Sequence, residues 1–224
     1  VGHRWILTAA HCLTYTDGAR AGQYFDDLET LVVTGHTDLS LGTDELAPAY
    51  AEDYYIAADW NPGSTGFFGD VALIRLDRDV VPSLGIPPAR ADQDARFAPG
   101  RTGVVSGWGL DENGATPARL RSVPAPLLAA EACAKFGSGF VGPAMICSGD
   151  DGPPPRGTCR GDSGGALSAS AASGVPIAGG ITSFGAVDCA VQPSGFTRVS
   201  LFASSIAATM AADPISPVAE PEIP

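Results

Sequence analysis

The sequence is poor in positive charge. It holds 13 lysine and arginine residues against 25 aspartate and glutamate residues, which gives a net charge of −12 at pH 7. Nucleic acid backbones and anionic lipid headgroups are themselves negative, so they would be repelled by such a chain. We therefore expect neither nucleic acid nor a membrane surface as a partner.

Long hydrophobic runs and paired cysteine motifs are also missing. No stretch reaches the roughly 18 apolar residues that a membrane helix needs. The five cysteines lie at positions 12, 133, 147, 159 and 189, and none forms a CxxC pair of the zinc or redox type. Disulfides explain them better, and the odd number leaves one cysteine over.

Glycine and proline, in contrast, are abundant, with 28 and 19 copies. Short alternating or β-branched runs recur between them, which predicts an antiparallel all-β fold. Ser200 is the predicted N-cap of a single helix whose apolar stripe is Phe202, Ile206 and Met210. The predicted strands span residues 4–8, 30–34, 71–76, 103–106, 176–181 and 195–199.

Two changes of composition divide the chain. Pro87, Pro88 and the charged stretch 90–96 separate two strand-rich halves. From residue 213 the sequence turns to Pro, Ala and Glu, which bury too little apolar surface to offset chain entropy. We expect one domain at 1–95, a second at 96–212, and a Pro-rich tail or linker at 213–224.

The glycine-rich segment GDSGG at 161–165 is the first candidate for chemistry. A serine hydroxyl becomes a strong nucleophile when a base takes its proton and fixed N–H groups meet the oxyanion that it creates. Glycines on both sides of Ser163 would let several N–H groups converge. Taken alone, the segment is equally well explained as a glycine-rich turn.

A histidine and an aspartate precede it along the chain. His11 ends the segment TAAH at 8–11 and is the candidate base, although a single histidine more often has a structural role. A metal site is disfavoured because the chain has only three histidines and no HExxH spacing. Asp70 opens the apolar run 71–76, where a turn residue is common but where a carboxylate that orients a histidine would also lie.

These segments together resemble the trypsin-like (chymotrypsin-family) serine endopeptidases. The resemblance covers residues 1 to about 212 and rests on TAAHC, GDVALIRL, SGWG at 106–109, MIC at 145–147, GTCRGDSGG and SFG at 183–185. The α/β-hydrolases have the order Ser, Asp, His and a GxSxG elbow, which is absent here. The resemblance implies two antiparallel six-stranded β-barrels and a C-terminal helix, with the first barrel incomplete because its N-terminal strands would precede residue 1.

The resemblance also implies a role for each candidate. Ser163 would attack the peptide carbonyl and form an acyl-enzyme, His11 would carry the proton, and Asp70 would hold the imidazole. The N–H groups of Gly161 and Ser163 would form the oxyanion hole. Asp162 corresponds to the residue that pairs with a freed N-terminal ammonium in activated zymogens, and such a partner is not expected in this chain.

The substrate would be a polypeptide bound in an extended form. The resemblance implies that Ser183 bonds the triad aspartate and that Gly185 pairs with the substrate backbone. No organic cofactor is needed. We expect a monomer, with protein inhibitors as further partners. The rival hypothesis is a catalytically silent homologue that binds or scaffolds, but the three intact side chains count against it.

The primary specificity pocket departs from that of a trypsin. By the resemblance its floor is Gly157, which offers no counter-charge to a basic side chain, and its walls include Thr158 and Ser194. Phe184 replaces the usual tryptophan. These residues favour small or medium apolar side chains, whereas Asp188 at the rim would favour basic ones.

The resemblance implies the disulfides Cys133–Cys147 and Cys159–Cys189, with Cys12 left over because its partner would lie upstream. Disulfides persist in oxidising compartments, so we expect a secreted protein. The acidic residues of the loop 35–50 show no ligand spacing for calcium, and we expect no metal site. They are Asp38, Asp44 and Glu45.

Overall fold

The computed structural model describes residues 2–26, 29–62, 67–80, 85–149, 157–185, 189 and 193–212. The α-helices in this part are α1 Thr43–Leu46 and α2 Ala203–Ala212. Its strands are β1 Trp5–Thr8, β2 Leu31–Val32, β3 Ala49–Ile56, β4 Ala72–Leu76, β5 Thr102–Gly107, β6 Arg121–Leu128, β7 Met145–Ser148, β8 Ala166–Ser170, β9 Pro176–Phe184 and β10 Ser194–Arg198.

The strands form two antiparallel sheets. The first has four strands in the order β1-β4-β3-β2, and the second is a closed barrel in the order β10-β7-β6-β5-β8-β9. Alternating side chains of β5 and β6 face the barrel interior, where Phe97 and Phe196 fill the centre. The all-β prediction is confirmed, with one closed six-stranded barrel, one half-barrel sheet and a C-terminal helix.

An apolar cluster joins the two sheets, and we call it the interface cluster. Trp5 and Leu73 of the first sheet, and Val71 just before β4, share this cluster with Ile181 of the barrel. The remaining buried members are Ala9, Val199, Phe202 and Ile206. Because these side chains come from both halves, apolar burial holds the halves together.

The C-terminal helix begins later than predicted. Ser200 lies in a 3₁₀ turn, Val199–Leu201, and its hydroxyl is buried without a hydrogen-bond partner among the described residues. The N-cap prediction for Ser200 is therefore wrong, because one tight turn is inserted before α2. The predicted stripe does face inward, since Phe202 and Ile206 are buried in the interface cluster and Met210 packs on it. None of the described helices has the length and apolar character to cross a membrane.

The segment between the two halves packs on the barrel. Ala89 donates to the carbonyl of Ala178 at 2.8 Å, and Ala178 donates to that of Pro87 at 2.9 Å. The ring of Phe97 fills the space that a side chain at Gly179 would need. The division at residue 95 stays a prediction, and the tail 213–224 lies outside the described residues.

Two loops also connect the halves. Leu39 donates to the carbonyl of Ala118 at 2.8 Å, and Leu120 donates to that of Thr37 at 2.7 Å. Beside them, Arg119 forms an ion pair with Asp38 at 3.2 Å.

Candidate active site

His11 lies in a 3₁₀ turn, Ala10–Cys12, directly after β1. Thr14 stabilises this turn, because its hydroxyl donates to the carbonyl of Ala10 at 3.0 Å. The indole of Trp60 donates in turn to the Thr14 hydroxyl at 2.9 Å. This buried chain of hydrogen bonds holds the backbone that carries the imidazole.

Asp70 lies just before β4 and is 0% exposed. Its Oδ2 is 2.7 Å from Nδ1 of His11, and its Oδ1 accepts the backbone N–H of His11 at 2.8 Å. Ser183, near the end of β9, donates to Oδ2 at 2.5 Å. Gly69 has φ +75°, and a side chain there would meet the backbone of Asp59, so glycine is required for this turn. A buried carboxylate needs such partners to remain charged.

The environment of His11 favours its charged form. Burial lowers its pKa, but hydrogen bonds and electrostatic interactions with Asp70 and Cys12 raise it and prevail. The pKa of His11 is raised from 6.5 to about 10. Its Nε2 lies 3.7 Å from Sγ of Cys12, which is a free and half-buried thiol.

Ser163 lies in a tight loop between Cys159 and β8. The backbone N–H of Asp162 donates to the carbonyl of Cys159 at 3.0 Å, and the backbone N–H of Gly164 donates to the carbonyl of Thr182 at 2.9 Å. The side chain of Ser163 is exposed, and within the described ranges its hydroxyl makes no hydrogen bond, including none with His11.

Gly164 brings the serine loop to the histidine turn. A Cβ at Gly164 would lie 3.3 Å from both the Ala9 nitrogen and Sγ of Cys12, and it would overlap the hydroxyl of Thr8. The loop of Ser163 and the turn of His11 are therefore in direct contact. The structure joins His11, Asp70 and Ser183 by hydrogen bonds and places Ser163 beside them.

The backbone of the same loop presents two unpaired donors. The N–H groups of Gly161 and Ser163 have no acceptor in the part of the chain that the structure describes. Gly161 has φ +96°, a conformation that glycine adopts at little cost. Unpaired N–H groups next to a nucleophile are the components of an oxyanion hole.

The carboxylate of Asp162 anchors this loop. It accepts the N–H of Gly109 on Oδ1 and that of Cys159 on Oδ2, both at 2.9 Å. A Cβ at Gly109 would lie within 2.5 to 2.6 Å of the carboxylate atoms, and one at Gly107 would overlap Oδ1. The resemblance implied an ammonium partner for Asp162, whereas the structure supplies backbone donors. Sequence reasoning gave no role to Gly107 and Gly109, although SGWG was one of its motifs.

Three of the predicted pocket residues, Thr158, Gly185 and Ser194, lie in contact. Thr158 donates a hydrogen bond to the hydroxyl of Ser194 at 2.9 Å. These two residues are only 8% and 3% exposed. Gly185 lies over Ser194, since a Cβ at Gly185 would be 2.9 Å from the Ser194 oxygen. Gly157 is partly exposed, and Asp188 lies outside the described residues.

Phe184 is the centre of an aromatic row. Its ring centroid is 5.1 Å from that of Phe67 and 5.2 Å from that of Phe136. Phe67 also meets the His11 ring edge-on, with 6.3 Å between centroids. Gly195 leaves the space that the Phe184 ring fills. Sequence reasoning missed Phe67 and Phe136, because no local motif marks them.

Two disulfides are present, Cys133–Cys147 and Cys159–Cys189. They are the pairings that the resemblance implied. Within the described ranges no group of three or more histidine, cysteine, aspartate or glutamate side chains could hold a metal ion. In the loop 35–50, the Asp38 carboxylate accepts hydrogen bonds from the backbone N–H and the hydroxyl of Ser40.

Comparison with known proteins agrees with this fold. The Trypsin family matches residues 1–206, and the chain therefore belongs to the trypsin family. It is 33% identical to proproteinase E of Bos taurus over 222 residues, which cover 93% of this chain and 81% of that protein. It is 32% identical to human chymotrypsin-like elastase family member 3B, covering 92% and 75% of the two chains. The chain is 30% identical to chymotrypsin-like elastase family member 1 of Canis lupus familiaris, over 90% of this chain and 76% of that protein.

Proposed function

We propose that this chain is a serine endopeptidase that hydrolyses peptide bonds through an acyl-enzyme on Ser163. The observation that carries the proposal is the exposed, unbonded hydroxyl of Ser163, in a loop that has two unpaired N–H groups and touches the His11 turn. The Nδ1 side of His11 is bonded to the buried Asp70 at 2.7 Å, as a general base requires.

In the reaction, the Ser163 oxygen attacks the carbonyl carbon while its proton passes to Nε2 of His11. The oxyanion accepts hydrogen bonds from the N–H groups of Gly161 and Ser163, and loss of one such donor slows related reactions by about 10²- to 10³-fold. The imidazolium then protonates the leaving amine, and the acyl-enzyme remains. Water then attacks the acyl-enzyme in the same way, with His11 again as the base, and the carboxylic acid product leaves Ser163. Asp70 keeps the imidazole in place throughout.

The pocket would accept neutral side chains of small to medium size, mainly apolar ones. Gly157 brings no charge to its floor, and the bonded pair Thr158–Ser194 joins two of its walls. Gly185 leaves a surface without a side chain, where an extended peptide could pair with the backbone.

The cellular setting is part of the proposal. Two disulfides support an oxidising compartment, and we propose secretion. The name proproteinase E of one relative supports synthesis as a precursor, with Asp162 as the residue through which activation reaches the oxyanion loop. We further propose a monomer that protein inhibitors bind at the same cleft and that uses no cofactor.

A fluorophosphonate probe tests this function, because it reacts only with an activated serine. We expect labelling of the chain that Ser163→Ala abolishes. Ser170→Ala, at an exposed serine on β8, is the matched control and should be labelled like the parent. A folded parent protein without labelling would favour the catalytically silent homologue.

A further inference from the structure

The peptide plane that joins Ala10 to His11 is held at both ends. Its N–H group, which belongs to His11, donates to Oδ1 of Asp70 at 2.8 Å. Its carbonyl, which belongs to Ala10, accepts the hydroxyl of Thr14 and the N–H of Leu13, both at 3.0 Å. The other oxygen of Asp70 lies 2.7 Å from Nδ1 of His11, so a tilt of this plane would also move the carboxylate relative to the imidazole.

Trp60 supports the carbonyl end of this plane. Its indole N–H donates to the hydroxyl oxygen of Thr14 at 2.9 Å. A hydroxyl accepts on its oxygen while it donates its own proton, so the bond from the indole helps to keep that proton directed at Ala10. Trp60 is 7% exposed and Thr14 is 0% exposed. Because water has little access to either bond, this chain of two bonds is stronger than one at the surface.

Trp60 also reaches the imidazole ring, through Phe67. The ring centroids of Trp60 and Phe67 are 6.1 Å apart, and those of Phe67 and His11 are 6.3 Å apart with the rings nearly perpendicular. Both separations lie in the range at which aromatic rings attract each other. Phe184 of the barrel packs on Phe67 as well, at 5.1 Å. One indole is therefore connected with both the backbone and the side chain of the same histidine.

We propose that Trp60 is a positioning residue of the active site, and this inference rests on the proposed endopeptidase function. Through Thr14 it fixes the peptide plane before His11, and through Phe67 it restrains the imidazole. Trp60 acts through the histidine and takes no part in the bond-making steps. A small misplacement of the imidazole slows the reaction, because proton transfer from Ser163 needs a short and aligned path.

The test breaks the chain of hydrogen bonds at two points. Trp60→Phe keeps a ring beside Phe67 but removes the indole N–H, and Thr14→Val removes the hydroxyl but keeps the shape of the side chain. We expect kcat per active site to fall roughly threefold to tenfold in Thr14→Val, the range of one neutral hydrogen bond, and at least about twofold in Trp60→Phe, with KM little changed. The double variant should be no slower than Thr14→Val, because both changes break one chain. Thr14→Ser keeps the hydroxyl and should retain the parent kcat.

A pH profile separates positioning from a purely structural role. The groups that raise the pKa of His11 are Asp70 and Cys12, and neither is substituted. A looser bond to Asp70 lowers the pKa of His11, so the rise of kcat/KM should shift to lower pH in Thr14→Val. Trp5→Phe is the matched control, because Trp5 is buried to a similar degree, at 5% exposed, but packs in the interface cluster. It should lower the stability and leave kcat and the profile unchanged.

The fluorophosphonate probe counts the active sites of each variant, so that a misfolded fraction does not enter kcat. Three results would overturn this inference and leave the proposed function intact: a parent-like kcat and profile in Thr14→Val, losses that multiply in the double variant, or an equal loss of kcat in Trp5→Phe. If Thr14→Val does not fold, a parent-like kcat in Trp60→Phe overturns it. Absence of both labelling and cleavage in the parent overturns the proposed function and this inference with it.

Discussion

At the scale of single residues, the charge on His11 would control the proposed chemistry. Its pKa of about 10 means that the imidazole is protonated in neutral solution, whereas a general base must be neutral. We expect kcat/KM to rise with pH from neutral towards 10. Stability changes in the opposite sense, because the raised pKa stabilises the fold below pH 6.5 and this contribution is lost as the pH passes 10. A pH-stat profile of kcat/KM checks the rate, NMR titration of the imidazole checks the pKa of His11, and urea unfolding at several pH values checks the stability.

The control for this prediction is Cys12, since its hydrogen bond and its electrostatic interaction with His11 both raise the pKa of the imidazole. Cys12→Ala should lower the pKa of His11 and shift the rise in kcat/KM to lower pH. Cys12→Ser keeps a hydrogen-bonding group and should shift it less. A profile that is flat from pH 7 upward in the parent, or one that does not move in Cys12→Ala, would contradict the assignment.

Gly109 permits a second prediction at this scale. Gly109→Ala places a methyl group where the Asp162 carboxylate lies and should displace the oxyanion loop. We expect kcat to fall by about 10²-fold or more with KM little changed, because the two N–H donors act mainly on the transition state. Gly139→Ala is the matched control, since nothing lies within 4 Å of the added atom. Equal losses in both variants, or a loss confined to KM, would count against this role.

Motifs in the sequence identified His11, Asp70 and Ser163 as candidates, because each stands in a short segment with its own composition. They did not identify the partner of Asp162. Its distant partner is the N–H of Gly109, 53 positions earlier in the chain, and a backbone donor leaves no mark in residue type. Residues that act through their backbone or by lacking a side chain become visible only once the chain is folded.

At the scale of elements, the predicted strands were those rich in β-branched residues, and β3, β6, β7 and β8 were missed. β6 contains Pro124 and Pro126, which are uncommon inside strands. β3 carries Glu52 and Asp53, which the structure explains because Arg75 on the neighbouring β4 bonds both at 2.9 and 2.8 Å. Cross-strand pairing of this kind overrides local propensity.

Helix α2 offers a prediction at the same scale. Ile206 is 4% exposed and packs in the interface cluster. Ile206→Ala should lower the free energy of unfolding by about 2 to 4 kcal/mol, the usual cost of a cavity of this size. Ser204→Ala changes an exposed residue of the same helix and should shift it by less than about 0.5 kcal/mol. Urea unfolding followed by circular dichroism measures both, and a loss below about 1 kcal/mol for Ile206→Ala would show that the helix packs loosely.

At the scale of the whole molecule, the site depends on both halves. His11 and Asp70 come with the four-stranded sheet, while Ser163 and Ser183 come with the barrel. Composition predicted the all-β class, and the resemblance predicted barrels. The closure of the barrel could not be derived from periodicity, because it depends on pairs such as β10 with β7 that are distant in sequence.

The contact at Gly164 has a consequence for anyone who would redesign this chain. Its φ of +79° and the atoms of Thr8, Ala9 and Cys12 around it leave no volume for a larger amino acid. A mutant library that varies this position would yield few folded variants, whereas Phe67 and Phe136 are half-buried residues of the aromatic row. Engineering of a new substrate selectivity should therefore begin with residues of the aromatic row and leave Gly164 unchanged.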